Sequence, residues 1–179
     1  HWLDPGEFRM GTRGNKPEEE PQHRVTVPGF WMAKYVVTQK QWNAITTHLR
    51  EKILPRAPSH FNGPSRPVEN VSPNHCLRWC RIFTRWLKAS GIAADLGIRT
   101  VRLPTEAEWE YACRANSHTD FWNGDGEAAL REVGWYGSNS GHVTHDVEEV
   151  VAHGTAEHPF GLCGMHGNVW ELCSDYHDP

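Results

Sequence analysis

No window of this 179-residue chain approaches the ~18 apolar residues of a membrane span, and the mean hydropathy is -0.64. A spanning helix is therefore not expected. Cationic runs are missing too: 18 Lys+Arg stand against 22 Asp+Glu for a net charge of -4, with no block that would track a phosphate backbone. That argues against a nucleic-acid partner. The opening His1-Trp2-Leu3-Asp4 lacks the charged and apolar regions of a secretory signal. Internal repeats are absent and the one low-complexity run is Glu18-Glu19-Glu20, so residues 1–179 read as a single domain. Cysteine falls short of an even count: Cys76, Cys80, Cys113, Cys163 and Cys173 leave at least one thiol free or paired outside the chain.

Aromatics and turn residues are plentiful. Nine Trp exclude a chain that stays unfolded, since each large ring buries ~150–250 Å² when packed. Arg24-Val25-Thr26-Val27 alternates, Pro28-Gly29 signals a turn, and Phe30 to Val37 is aromatic and β-branched; together they predict a hairpin. Thr38 and Gln41 form a capping-box pattern ahead of a helix to about Leu49. Four prolines between 51 and 70 predict an irregular loop. Ser72 as N-cap and Pro73 at the first helical position open a second helix, closed by Gly91. Its inward face carries Cys76, Trp79, Cys80, Phe83, Trp86 and Leu87. A short strand over Thr100 to Leu103 leads to a second capping box, Thr105 with Glu108, and a helix to about Arg114 carrying Trp109, Ala112 and Cys113 inward. Beyond Ala115 the regular periods stop. A long irregular stretch rich in Gly and His is where binding sites are usually built.

Five segments, in order, carry a resemblance: Pro5 to Gly11, Glu20 to Val25, Lys34 to Trp42, Arg102 to Arg114, and Phe160 to Glu171 with its Gly167-Asn168-Val169-Trp170-Glu171 core. Together the chain resembles the sulfatase-modifying-factor family, founded on the formylglycine-generating enzyme. The resemblance implies an α+β fold of the C-type-lectin-like kind, with two main helices, small antiparallel sheets and extensive irregular loops. It also implies structural calcium, an ion that seeks carboxylate and carbonyl oxygen. One site would take Gly167, Val169 and Glu171, although Gly164 stands where the family usually has Asp or Asn; another would begin at Asn139 and Ser140, with Asp146 as a further candidate. In the family's oxidase two cysteines near the C-terminal end bind copper(I), a pairing that suits soft thiolates. Their positions lie beyond Pro179, so the resemblance implies a domain without its C-terminal portion and an exposed groove or sheet edge where that part belongs. Cys80 and Cys113 are then expected unpaired.

The other clusters have plain readings beside chemical ones. Cys76 and Cys80 stand at i and i+4 but face the core, where free cysteine is common. Cys163 and Cys173 flank the glycine motif and are open to pairing or to staying free. His142 and His145, with His153 and His158, suggest zinc, yet no further ligand completes a known spacing. His23 and His166 read as hydrogen-bonding structural residues. Glu106, Glu108 and Glu110 scatter over different helix faces. Trp122, Trp135, Tyr136 and Trp170 are the candidate ligand-binding aromatics, against packing beneath long loops. Two functions follow from the resemblance: a non-catalytic module binding a protein or small-molecule ligand through its C-terminal loops, like bacterial variable proteins of diversity-generating retroelements, or the copper-dependent oxidase acting on a sulfatase cysteine.

Overall fold

The computed structural model describes residues 1–12, 19–48, 53–149 and 157–175. Strands β1 (Trp2–Leu3) and β2 (Gly6–Met10) run antiparallel to β4 (Phe30–Trp31) and β3 (His23–Val27) respectively. The two pairings share one register, Leu3 opposite Phe30 and Gly6 opposite Val27, so they form a single ribbon with a break in the middle. Continuing that register sets Pro5 against Pro28. Neither has an amide to donate, and the ladder stops there. The expected hairpin is thus corrected: Pro28-Gly29 is a gap in the ladder, and the segment after it pairs with the N-terminal strand. Alternation identifies a strand but not its partner.

Helix α1 (Gln39–His48) opens on the expected box, with Gln41 N–H donating to Thr38 Oγ1 (3.2 Å) and Thr38 N–H to Gln41 Oε1 (2.9 Å). Its expected last residue, Leu49, lies outside the described residues. Helix α2 (Pro73–Ala89) is capped by Ser72, and His75 closes the box. The short α3 (Ile92–Asp95) follows Gly91, whose φ of 82° is left-handed. Thr100 to Leu103 is not a strand: Val101 N–H donates to Thr84 Oγ1 (2.8 Å) on α2 instead of to a ladder. Helix α4 (Glu106–Arg114) has the expected box, Glu108 N–H to Thr105 Oγ1 and Thr105 N–H to Glu108 Oε2.

Past Ala115 the chain is less irregular than its sequence suggests. It holds α5 (Gly126–Val133), β5 (Gly134–Trp135) and β6 (His166–Gly167), and β5 pairs with β6 in parallel. The helix lacks a capping signature because the Asp125 carboxylate accepts from Asp120 N–H (2.8 Å), not from the helix.

Two cores result. Leu3, Val27, Tyr111, Ala112, Leu162 and Met165 join the ribbon, α4 and the C-terminal loops. Trp42, Ile45, Leu54, Trp79, Cys80 and Ile82 join α1 and α2, with Trp42 and Trp79 stacked at 6.1 Å.

Candidate functional site

The parallel pair β5–β6 ties the two C-terminal loops together, and glycine makes it possible. A Cβ on Gly134 would collide with the His166 backbone oxygen, and one on Gly167 with that of Trp135. Asn168, itself left-handed at φ 63°, donates its N–H to Trp135 O (2.8 Å). Its side chain then clamps one residue of the other loop, accepting from His145 N–H (2.9 Å) and donating to His145 O (3.0 Å). The His145 ring lies flat on Trp135, centroids 3.6 Å apart, with Nε2 2.8 Å from Ser140 O and Nδ1 3.1 Å from Glu149 Oε2.

This arrangement decides the roles of several expected residues. Asn139 accepts from Tyr136 N–H (2.7 Å) and donates to Gly134 O (2.9 Å), so both polar atoms of its side chain are engaged. Ser140 turns its carbonyl to His145 and its hydroxyl to His142 N–H (3.3 Å). In the Asn139 and Ser140 set the Asn139 side-chain oxygen is thus taken by Tyr136 N–H and the Ser140 carbonyl faces the His145 ring. In the Gly167, Val169 and Glu171 set the Gly167 carbonyl accepts from Val169 N–H (2.8 Å), and the group left for a cation is the Glu171 carboxylate. The Glu171 carboxylate has no cationic partner among the described residues, and burial pushes its pKa up to about 7, the lonely state of an acid a cation would neutralise. The nearby Trp109 indole N–H pulls the value down in part, but without hydrogen-bond geometry. Among the described residues no three His, Cys, Asp or Glu side chains converge to hold a metal; His153 of the histidine set lies outside them.

The four candidate aromatics do not form one surface. Trp135 is buried under His145. Trp122 packs half-buried, edge to face with His158 at 5.3 Å, and Tyr136 donates its hydroxyl to Glu127 (2.8 Å). Trp170 alone projects, 99% exposed. Near it a small depression lined by Val36, Val147, Cys163, Gly164 and Val169 has room for about one water.

All five cysteines are unbonded, as expected for Cys80 and Cys113, and Cys163 and Cys173 do not pair. Burial raises every thiol, Cys80 and Cys173 to about 11 and Cys113 to about 12. Cys113 Sγ sits 3.6 Å from His166 Nδ1, a contact no sequence spacing announced, but burial also pushes His166 down to about 4. Both partners are then neutral near pH 7, so this is not a thiolate–imidazolium pair. Of the acidic trio, Glu108 caps α4 and pairs with Arg102 (2.6 Å), while Glu110 binds Arg114 (2.6 Å) and Gly11 N–H (3.0 Å).

The family model of the sulfatase-modifying factor enzyme 1-like domain matches residues 1–179. The formylglycine-generating enzyme of Mycobacterium tuberculosis is 30% identical over 218 residues, covering 94% of this chain and 71% of that protein. Chaperone protein LppX of Paenibacillus barcinonensis is 27% identical over 188 residues, covering 86% of this chain; the chain spans 64% of LppX, just under two thirds. Among solved structures, Treponema denticola variable protein 1 matches with a TM-score of 0.77 and 25% identity, covering 99% of this chain and 72% of that one.

Proposed function

Because the chain belongs to the sulfatase-modifying factor enzyme 1-like domain family, we propose that it is a non-catalytic binding module whose C-terminal loops face a protein or small-molecule ligand. The observation that carries this reading is Trp170. A ring 99% exposed on a loop pinned by the Asn168 clamp loses little freedom on docking, which is what an interface anchor needs. The likeness to Treponema denticola variable protein 1 supports the same reading. Calcium, in this reading, is held structurally by the Gly167 and Val169 carbonyls and Glu171.

The 30% identity to a formylglycine-generating enzyme favours a second reading, the oxidase. One experiment separates them. The full-length gene product is incubated with copper(I), oxygen, a reducing thiol that supplies the two further electrons oxygen needs, and a cysteine-containing sulfatase peptide, and the peptide is weighed by mass spectrometry; in parallel, a photoreactive group at position 170 is tested for saturable crosslinking. An unchanged peptide with saturable crosslinks supports the module, and aldehyde formation overturns it.

A further inference from the structure

Helix α2 has a face that neither core uses. Its 17 residues include Arg78, Arg81, Arg85 and Lys88 and no acid. At about 100° per residue these four fall within a sector of about 80°, roughly opposite buried Trp79, Cys80 and Leu87. Arg81, Arg85 and Lys88 are exposed, and none has an ion-pair partner among the described residues. Each cation is separated from the next by apolar or neutral residues, so no linear run betrays the stripe.

The charge is segregated as well as aligned. Residues 73–102 hold six Arg and Lys against Asp95 alone, a net +5, which leaves twelve against twenty-one, a net -9, for the rest of a chain whose total is -4. Exposed apolar side chains follow the stripe along the chain: α3 packs on α2, and the segment just beyond Lys88 exposes Ile92 at 37% and, after α3, Leu96 at 60%, followed by exposed Arg99.

We infer that the solvent face of α2, continued by α3, docks on an anionic lipid bilayer. A bilayer offers what this surface lacks, a plane of negative headgroups with an apolar layer beneath for Ile92 and Leu96. A nucleic acid offers no sink for those two side chains. The surface belongs to the α1–α2 core, whereas the C-terminal loops belong to the ribbon–α4 core, so the two can be engaged independently.

Vesicle sedimentation tests this with the 179-residue chain. It is expected to bind vesicles of phosphatidylcholine with about a third phosphatidylserine, to ignore pure phosphatidylcholine, and to dissociate as salt rises. The triple variant Arg81→Gln/Arg85→Gln/Lys88→Gln is expected to lower partition on the order of 100-fold, about fivefold per charge, with an unchanged thermal midpoint. Arg81→Lys/Arg85→Lys keeps the charge and keeps binding. Leu96→Ser weakens binding without changing the salt slope. No binding to anionic vesicles, equal binding by the triple variant, or binding of single-stranded RNA or polyglutamate in place of vesicles overturns the inference.

Discussion

Replacing Gly167 with alanine perturbs the β5–β6 junction at one atom, and the cost can be worked from its surroundings. The residue sits at φ 81°, where an L side chain costs about 1–2 kcal/mol. The new Cβ also meets the Trp135 backbone oxygen, so the strands must separate and the Asn168 N–H to Trp135 O bond of 2.8 Å is lost, at about 1–3 kcal/mol. The sum, about 2–5 kcal/mol, is a large part of an ordinary domain stability of about 5–15 kcal/mol. Gly164 provides the control. It too is left-handed, at φ 73°, but nothing lies within 4 Å of its added Cβ, so Gly164→Ala bears only the first cost. Urea unfolding followed by Trp fluorescence measures both, and near-UV circular dichroism reports the Trp135–His145 stack. If Gly167→Ala destabilises no more than Gly164→Ala, the close-approach account of the motif is refuted.

The Arg102 guanidinium first, and the Thr105 N–H after it, hold the Glu108 carboxyl below the usual range. A lowered native value means the stabilisation is complete above the unfolded pKa of about 4.3 and is lost as pH falls through the native one. Glu108→Gln should therefore cost about 1–2 kcal/mol at pH 7, at the low end because Arg102 is half exposed, and should flatten the acid limb of stability against pH; parallel acid limbs would sink this. Trp170→Ala is expected to leave stability within about 0.5 kcal/mol while abolishing saturable capture at the C-terminal loops, as titration of the captured partner would reveal. Gly164→Asn adds a side-chain oxygen in a conformation Asn tolerates, with open space around it, and should tighten calcium binding measured by calorimetry, whereas Glu171→Gln should weaken it.

Local signals proved legible wherever the chemistry is local. The Thr38, Ser72 and Thr105 caps each bond amides within three residues of themselves, so their patterns carry the whole interaction. Pairing was not legible: Arg24 to Val27 alternates as a strand should, but its partner lies some twenty residues earlier, chosen by which faces Leu3 and Val27 bury together. Helix α5 escaped notice because Ala128, not Glu or Gln, stands three residues after Asp125, so no capping box marks its start. His145 looked like half of a metal spacing, and only the fold shows it stacked on Trp135 and held by Asn168 across 23 residues.

The sequence by itself determined the family, the α+β class, the starts of α1, α2 and α4 and the absence of a long apolar run, because each rests on neighbours in the chain or on motifs read in order. The tertiary structure alone decided that Trp135 is core while Trp170 is bare, that the Ser140 carbonyl meets a histidine, that five thiols stay protonated, and that scattered cations share one helix face. Burial, charge proximity and strand partnership are sums over residues distant in the chain, and a linear pattern does not contain them.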